Sequence, residues 1–158
     1  MAGSLERFGA LYPAVLEALA DLPVRVLMTT GADFDPAQLN PLPANACVVR
    51  WWPQEAAMTE AALVIGHGGF GTTMTALAAG VPQIVMPLFA FDQFINAQRV
   101  DAVGAGIQLP GGLDSVAAVS EAVRRLLAQP RFADGARSVA AEIAALPKEP
   151  RALKCCGT

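Results

Sequence analysis

The stretch Leu63-Val64-Ile65-Gly66-His67-Gly68-Gly69-Phe70-Gly71-Thr72-Thr73 decides the fold. Its apolar start predicts a short buried strand, and the glycines that follow predict a tight turn. Thr72 carries a hydroxyl group suited to cap the next helix, which is expected to run to Gly80. A strand, a glycine-rich turn and a helix in this order are typical of an α/β domain with parallel strands.

The glycine-rich turn is also a candidate phosphate site. Glycine lets a backbone approach a ligand closely and adopt positive φ. The free N–H groups and the positive dipole end of a helix start attract anions, and Thr72 and Thr73 would add hydroxyl donors. The spacing matches neither G-x-G-x-x-G nor the P-loop. By shape alone the turn fits a structural connection as well as a phosphate site.

The alternation of strands and helices continues in both directions along the chain. Apolar residues at helical spacing predict a first helix over 5–19. Further strands are predicted at 24–30, 47–49, 81–86 and 107–109, and further helices at 53–62, 92–103, 115–128 and 132–146. We predict a doubly wound, Rossmann-like parallel sheet, with ligands at the carboxyl ends of its strands. The domain is expected to cover residues 1–146, and residues 147–158 to form a disordered tail.

Composition limits the classes of function. The chain has 158 residues, which suits one domain, and its hydrophobic fraction of 54% exceeds that of an ordinary soluble domain. A net charge of −3 argues against nucleic-acid binding. The longest apolar region, 76–91, is broken by glycine and proline, so no membrane span is expected. Three cysteines without metal-ligand spacing and the lack of a secretory signal favour a cytoplasmic location.

Two aromatic residues and the single histidine are candidate ligand contacts. Trp51 and Trp52 end a predicted strand and precede Gln54. They are either core or interface residues or, for one ring, a stacking surface for a base, with Gln54 bonding to the ribose or the base. His67 stands at the carboxyl end of a strand, where it could donate a hydrogen bond to a diphosphate. A lone histidine is otherwise more often structural.

A second polar pair, Asp92 and Gln93, starts a later helix. Asp92 is expected to cap that helix. The functional interpretation is that both side chains grip the hydroxyl groups of a sugar.

Three motifs together resemble the donor-binding signature of the UDP-glycosyltransferase superfamily, in particular its bacterial branch that decorates natural products. They are W-W-P-Q at 51–54, H-G-G-F-G-T-T at 67–73 and G-V-P-Q-I-V-M-P-L-F-A-F-D-Q at 80–93. The likeness is strongest over 51–109 and weaker over most of the rest. It implies the C-terminal, nucleotide-sugar-binding half of a GT-B glycosyltransferase.

The resemblance assigns roles around a dTDP-sugar or UDP-sugar, which such enzymes transfer with inversion and without metal or cofactor. Trp51 would stack on the base, Gln54 would touch the nucleoside, and Asp92 and Gln93 would contact the sugar. The residues expected to surround the diphosphate are His67, Gly69, Gly71, Thr72 and Thr73.

Two further positions bear on the donor. Thr75 stands where plant relatives carry a glutamate that grips the ribose, which favours dTDP over UDP. Asp33-Phe34-Asp35 resembles the D-x-D metal signature of a different glycosyltransferase architecture. Aspartates before proline are common in turns, and no histidine, cysteine or glutamate cluster accompanies them. No metal site is therefore predicted.

The resemblance also implies parts outside this sequence. Relatives place an acceptor domain, which holds the catalytic base, ahead of the donor domain, and they open the donor domain with an apolar strand before the helix at Leu5. We therefore expect a sheet without its central first strand, no catalytic residue in this chain, and no sugar transfer by the chain alone. Exposed apolar surface would favour self-association. A non-catalytic nucleotide-sugar-binding module, or another GT-B relative such as a lipid-linked cell-wall transferase, stays an alternative.

Overall fold

The computed structural model describes the backbone of residues 2–147 and the side chains of residues 9–112 and 114–147. The strands in this part are β1 (Val26–Thr29), β2 (Ala46–Val49), β3 (Val64–Gly66), β4 (Gln83–Val85) and β5 (Gly106–Gln108). The α-helices are α1 (Ala2–Leu19), α2 (Gln54–Met58), α3 (Phe70–Ala78), α4 (Phe91–Ala102), α5 (Val119–Ala128) and α6 (Pro130–Ala145). Two 3₁₀-helices span Pro36–Leu39 and Gly112–Ala118. Beyond Pro147 the predicted tail lies outside the described residues.

The strands pair only in parallel, and they form two separate sheets. One sheet joins β1 to β2, with Val26 opposite Ala46, and the other has the order β3-β4-β5. In the usual doubly wound order the first strand lies at the centre, between the second and the fourth. The break between β1 and β3 falls at that place. The predicted α/β fold with parallel strands is confirmed, and its sheet is divided where a central strand was expected to be missing.

A shared apolar core links the two sheets. Val26 and Met28 of β1 pack against the same apolar cluster as Leu63 and Ile65 around β3. The buried members of this cluster come mainly from α1, β4, β5, α5 and α6, and they include Leu19, Ile84, Ile107, Val123 and Phe132. Apolar contact with this cluster thus links β1 to β3, two strands between which no hydrogen-bonded pairing is described.

Helices cover the opposite face of the larger sheet as well. Val85 of β4 packs there with Leu77 of α3, Val100 of α4 and Ala136 of α6. Ile84, which precedes Val85 in the same strand, faces the first cluster. Strand β4 is therefore buried along its whole length. Burial on both faces accounts for the apolar composition of the chain. It also fixes the carboxyl ends of β3 and β4 relative to helices α3 and α4.

Two predicted helix caps are wrong. Helix α3 begins at Phe70 with Gly69 as its N-cap, and α4 begins at Phe91 with Ala90 as its N-cap, neither of which makes a side-chain capping bond. The backbone already leaves its extended conformation after Gly69 and Ala90, so Thr72 and Asp92 lie within the first helical turns. Their side chains therefore remain available for other contacts.

Other element boundaries also differ from the prediction. The helix expected over 53–62 covers only Gln54–Met58, and the helix expected from residue 115 begins at Val119, after a 3₁₀ segment. No helix in the described part of the chain is long and apolar enough to cross a membrane.

Candidate functional site

Most of the predicted site residues lie in the loops that follow β3 and β4 and in the first turns of α3 and α4. After Gly66 the chain passes through His67-Gly68-Gly69 into α3, and after Val85 it passes through a short loop into α4. The N–H of Met86 donates to the carbonyl oxygen of Gly66 at 2.8 Å, so the two loops leave the sheet side by side. The structure therefore brings the glycine turn and the start of α4 to one edge of the sheet, as predicted for parallel strands.

Gly68 is the point at which these two loops are locked together. Its φ is +87°, a conformation that L side chains rarely adopt. A Cβ at this position would lie 2.8 Å from the carbonyl oxygen of Gln93 and 2.8 Å from Cγ1 of Val85. Both neighbours belong to the packed sheet and helix, so only glycine lets the turn rest against α4.

Gly69 and Gly71 have different surroundings. A Cβ at Gly69 would lie 2.5 Å from Nε2 of His67, because the imidazole ring lies over this residue. The φ of Gly69 is an ordinary −61°, so the space taken by the ring is the constraint. At Gly71 a Cβ would meet nothing within 4 Å. Gly71 therefore leaves open space above the first turn of α3.

The first turn of α3 presents unpaired backbone donors. The N–H of Thr73 donates to the carbonyl oxygen of Gly69 at 3.1 Å. The preceding N–H groups of Phe70, Gly71 and Thr72 find no backbone acceptor among the described residues. Free donors and the positive end of a helix dipole are features that favour an anion.

His67 adds a polar ring to this turn. The side chain is exposed on its outer side, yet its partial burial against the turn lowers the pKa of His67 from the usual 6.5, an effect opposed by the negative charge of Asp92. A lowered pKa favours the neutral imidazole, which has one N–H to donate. An anion bound beside it would raise this pKa.

Gln54 links the tryptophan motif to the glycine turn. Its Nε2 atom donates to Oγ1 of Thr72 at 2.9 Å. The Thr72 hydroxyl accepts this bond and keeps its own proton for a further acceptor. Trp51 is 74% exposed and Trp52 is 45% exposed, so neither ring lies in the core of this domain, and the interpretation as interface residues stays open. Trp51 presents the larger free surface.

Gln93 and Thr73 are more buried than their predicted roles suggest. Gln93 is 4% exposed, and its Oε1 atom accepts hydrogen bonds from the N–H groups of Leu88, at 2.9 Å, and Phe89, at 3.3 Å. It thereby fixes the loop between β4 and α4. Thr73 is 5% exposed and lies on the buried face of α3 with Ala76. Of the two, the Gln93 side chain supports the loop before α4 through hydrogen bonds.

Asn96 is a site residue that the sequence analysis missed. Its Nδ2 atom donates to the carbonyl oxygen of Gly68 at 2.8 Å. Asn96 lies three residues after Gln93 and hence on the same side of α4. That spacing was the only signal in the sequence, and it does not reveal which loop the side chain contacts.

The Asp33-Phe34-Asp35 segment lies in the loop after β1, and its Asp35 makes the contacts usual for an aspartate in a turn. Asp35 accepts a hydrogen bond from the N–H of Ala37, at 3.3 Å, and pairs with Arg50 at 3.2 Å. Among the described residues, no group of histidine, cysteine, aspartate or glutamate side chains could hold a metal ion.

A family profile identifies the chain. The profile described as "Erythromycin biosynthesis protein CIII-like, C-terminal domain" matches residues 13–156. The chain belongs to this family. Its structural neighbours are GT-B glycosyltransferases, and the chain corresponds to their C-terminal part. The predicted relationship to natural-product glycosyltransferases is thereby confirmed.

Curated relatives and solved structures agree with this membership. NDP-glycosyltransferase YjiC of Bacillus subtilis is 34% identical over 151 residues, which cover 87% of this chain and 38% of that protein. The calicheamicin glycosyltransferase CalG4 matches with a TM-score of 0.79 and 34% identity, over 86% of this chain and 35% of its own. Spinosyn rhamnosyltransferase SpnG, complexed with thymidine diphosphate, matches with a TM-score of 0.79 and 33% identity, over 87% and 38%. The chain spans less than two-fifths of these relatives.

Gly68 and Gly71 have contrasting surroundings and provide a matched pair for mutation. We expect Gly68→Ala to lower the free energy of unfolding by about 2–4 kcal/mol, because it combines backbone strain with a clash against α4. Gly71→Ala should leave stability unchanged or raise it by about 0.5–1 kcal/mol, because alanine favours the helix. Urea denaturation measures both values. Equal effects of the two substitutions would show that the turn does not rest against α4 as described.

The electrostatic setting of His67 predicts its titration. We expect an NMR midpoint below 6.5, and a lower one in Asp92→Asn, since that change removes the carboxylate that favours the imidazolium. Asp101→Asn, a charge loss at the other end of α4, should leave the midpoint unchanged. A midpoint above 6.5 in the native chain, or a rise in Asp92→Asn, would contradict this account.

Proposed function

We propose that this chain is the donor-binding half of a glycosyltransferase and that it binds a nucleotide sugar, dTDP- or UDP-linked, at the edge formed by β3 and β4. The observation that carries the proposal is the set of unpaired N–H groups at the start of α3, beside the His67 ring. The homologue SpnG, similar over 87% of this chain, has been solved in complex with thymidine diphosphate. That ligand has the charge which a helix start attracts.

The diphosphate is the leaving group of sugar transfer, and negative charge develops on it as the glycosidic bond breaks. In our proposal Gly69, Gly71 and the Thr72 hydroxyl surround the phosphates, and the neutral His67 donates its N–H to them. Fixed donors and a helix dipole stabilise such charge without reorganising during the reaction. We therefore propose metal-independent binding that needs no cofactor.

The remaining motif residues surround the nucleoside and the sugar in this proposal. The exposed Trp51 ring stacks on the base, and Gln54 exchanges its bond with Thr72 for one to the nucleoside. Asp92 contacts the sugar directly. Gln93 reaches it only through its amide nitrogen, because its oxygen already serves the loop before α4.

Thr75 bears on the choice of nucleotide. Its Oγ1 atom donates to the carbonyl oxygen of Gly71 at 2.9 Å, within the helix. A hydroxyl engaged in this way, in place of a carboxylate, offers little to a ribose 2′-hydroxyl group. We therefore favour dTDP over UDP.

The transfer reaction itself needs groups beyond those described above. An acceptor hydroxyl loses a proton as it attacks the sugar, which requires a base within hydrogen-bond reach. His67 is the only histidine of the chain, and in this proposal it faces the diphosphate. We propose that an acceptor domain supplies the base, that transfer inverts the sugar, and that the acceptor is a small natural product. The exposed rings of Phe70 and Phe91 at the same edge suit contact with apolar surface.

Calorimetry with thymidine diphosphate in the presence of EDTA tests the binding. We expect the native chain to bind, and Trp51→Ala to weaken binding by about 1–3 kcal/mol, the range typical of a base stacked on an aromatic ring. Trp52→Ala is the matched control and should bind like the native chain. Loss of native binding on chelation would defeat the metal-independent mechanism. A larger cost in Trp52→Ala would move the stacking role by one residue.

A further inference from the structure

We infer that Asn96 is a positioning residue whose side chain aims the N–H of Gly69 at the diphosphate. The inference rests on the proposed function and adds a residue that acts from behind the site, without touching the ligand. It starts from the hydrogen bond of 2.8 Å between Nδ2 of Asn96 and the carbonyl oxygen of Gly68.

The hydrogen bond from Asn96 to Gly68 also sets the direction in which the N–H of Gly69 points. In a trans peptide the carbonyl oxygen of one residue and the N–H of the next point in opposite directions. Since Asn96 holds the Gly68 oxygen towards α4, the Gly69 N–H points away from α4. That N–H makes no hydrogen bond to any described residue, and it adjoins the unpaired donors of the first turn of α3. Asn96 thus adds one donor to the anion site.

Glycine on both sides makes this peptide easy to turn. Rotation about the bonds flanking it would exchange the directions of the oxygen and the N–H, and two glycines oppose such a rotation less than any other pair of residues. The bond from Asn96 selects one orientation. It also provides a partner for the Gly68 oxygen, which would otherwise be left without one beside the helix.

Helix α4 is a rigid support for the Asn96 side chain. Ala97 and Val100 are buried in the core, with exposures of 0% and 1%, and Gln93 ties the same helix to the loop after β4. The backbone of Gly68 also lies against this helix. Because α4 is packed in the core, the Asn96 amide keeps a fixed direction. A preorganised anion site requires such fixed donors.

The first arm of the test uses the native chain and NMR. On titration with thymidine diphosphate, the Gly69 amide proton should move downfield as it forms a hydrogen bond to phosphate, and thymidine alone should not move it. Saturable binding without a downfield shift at Gly69 would overturn the inference and leave the proposed function standing. Absence of any binding would instead defeat the proposed function, and the inference with it.

The second arm compares variants by affinity. Asn96→Ala, and Asn96→Asp, whose carboxylate cannot donate to the Gly68 oxygen, should each weaken thymidine diphosphate binding about tenfold or more. Their affinity for thymidine should stay unchanged. This comparison distinguishes a misdirected Gly69 N–H from a general loss of structure. Asn40→Ala is the matched control, because Asn40 also donates to a backbone carbonyl, that of Ala37, in the loop before β2. Native affinity in Asn96→Asp, or an equal loss for thymidine, would overturn the inference.

Discussion

The contact on which this site depends is the close approach of Gly68 to helix α4. A residue without a side chain lets the turn after β3 rest on the backbone of Gln93 and on Val85, at a distance that no Cβ could occupy. The donors at the start of α3 and the loop before α4 are therefore held in one arrangement before a ligand arrives. Preorganised donors of this kind cost no rearrangement when charge develops on a leaving group.

The site combines this rigid backbone with polar side chains at its surface. Burial lowers the pKa of His67 and so favours its neutral form, and Gln54 and Thr72 are joined by one bond between exposed groups. Such groups can exchange partners with a ligand at little cost, since water competes for both states. The side-chain oxygen of the buried Gln93 instead accepts a hydrogen bond from the loop backbone. Depth thus separates the side chains suited to contact a ligand from those that support the site.

Local patterns were enough to predict the fold class and the edge of the sheet at which the glycine turn and the start of α4 meet. Strand β3, the glycine turn and α3 follow from residues adjacent in the chain, and parallel strands bring their carboxyl ends together. The caps at Thr72 and Asp92 were predicted wrongly because the backbone is already helical before these residues. Helix α3 begins at Phe70, two residues before Thr72, and α4 begins at Phe91, one residue before Asp92. The bond from Asn96 to Gly68 joins residues 28 positions apart, so no local pattern contains it. The support given by Gln93 depends on burial, which packing decides.

The central claim is that the turn after β3 and the first turn of α3 form the diphosphate site. Amide hydrogen exchange of the native chain, with and without thymidine diphosphate, tests this claim most directly. The account predicts slower exchange over 68–73 and over the loop 86–91, with no change over 33–45. Protection confined to 33–45, around Asp33 and Asp35, would contradict it and place the ligand on the other sheet.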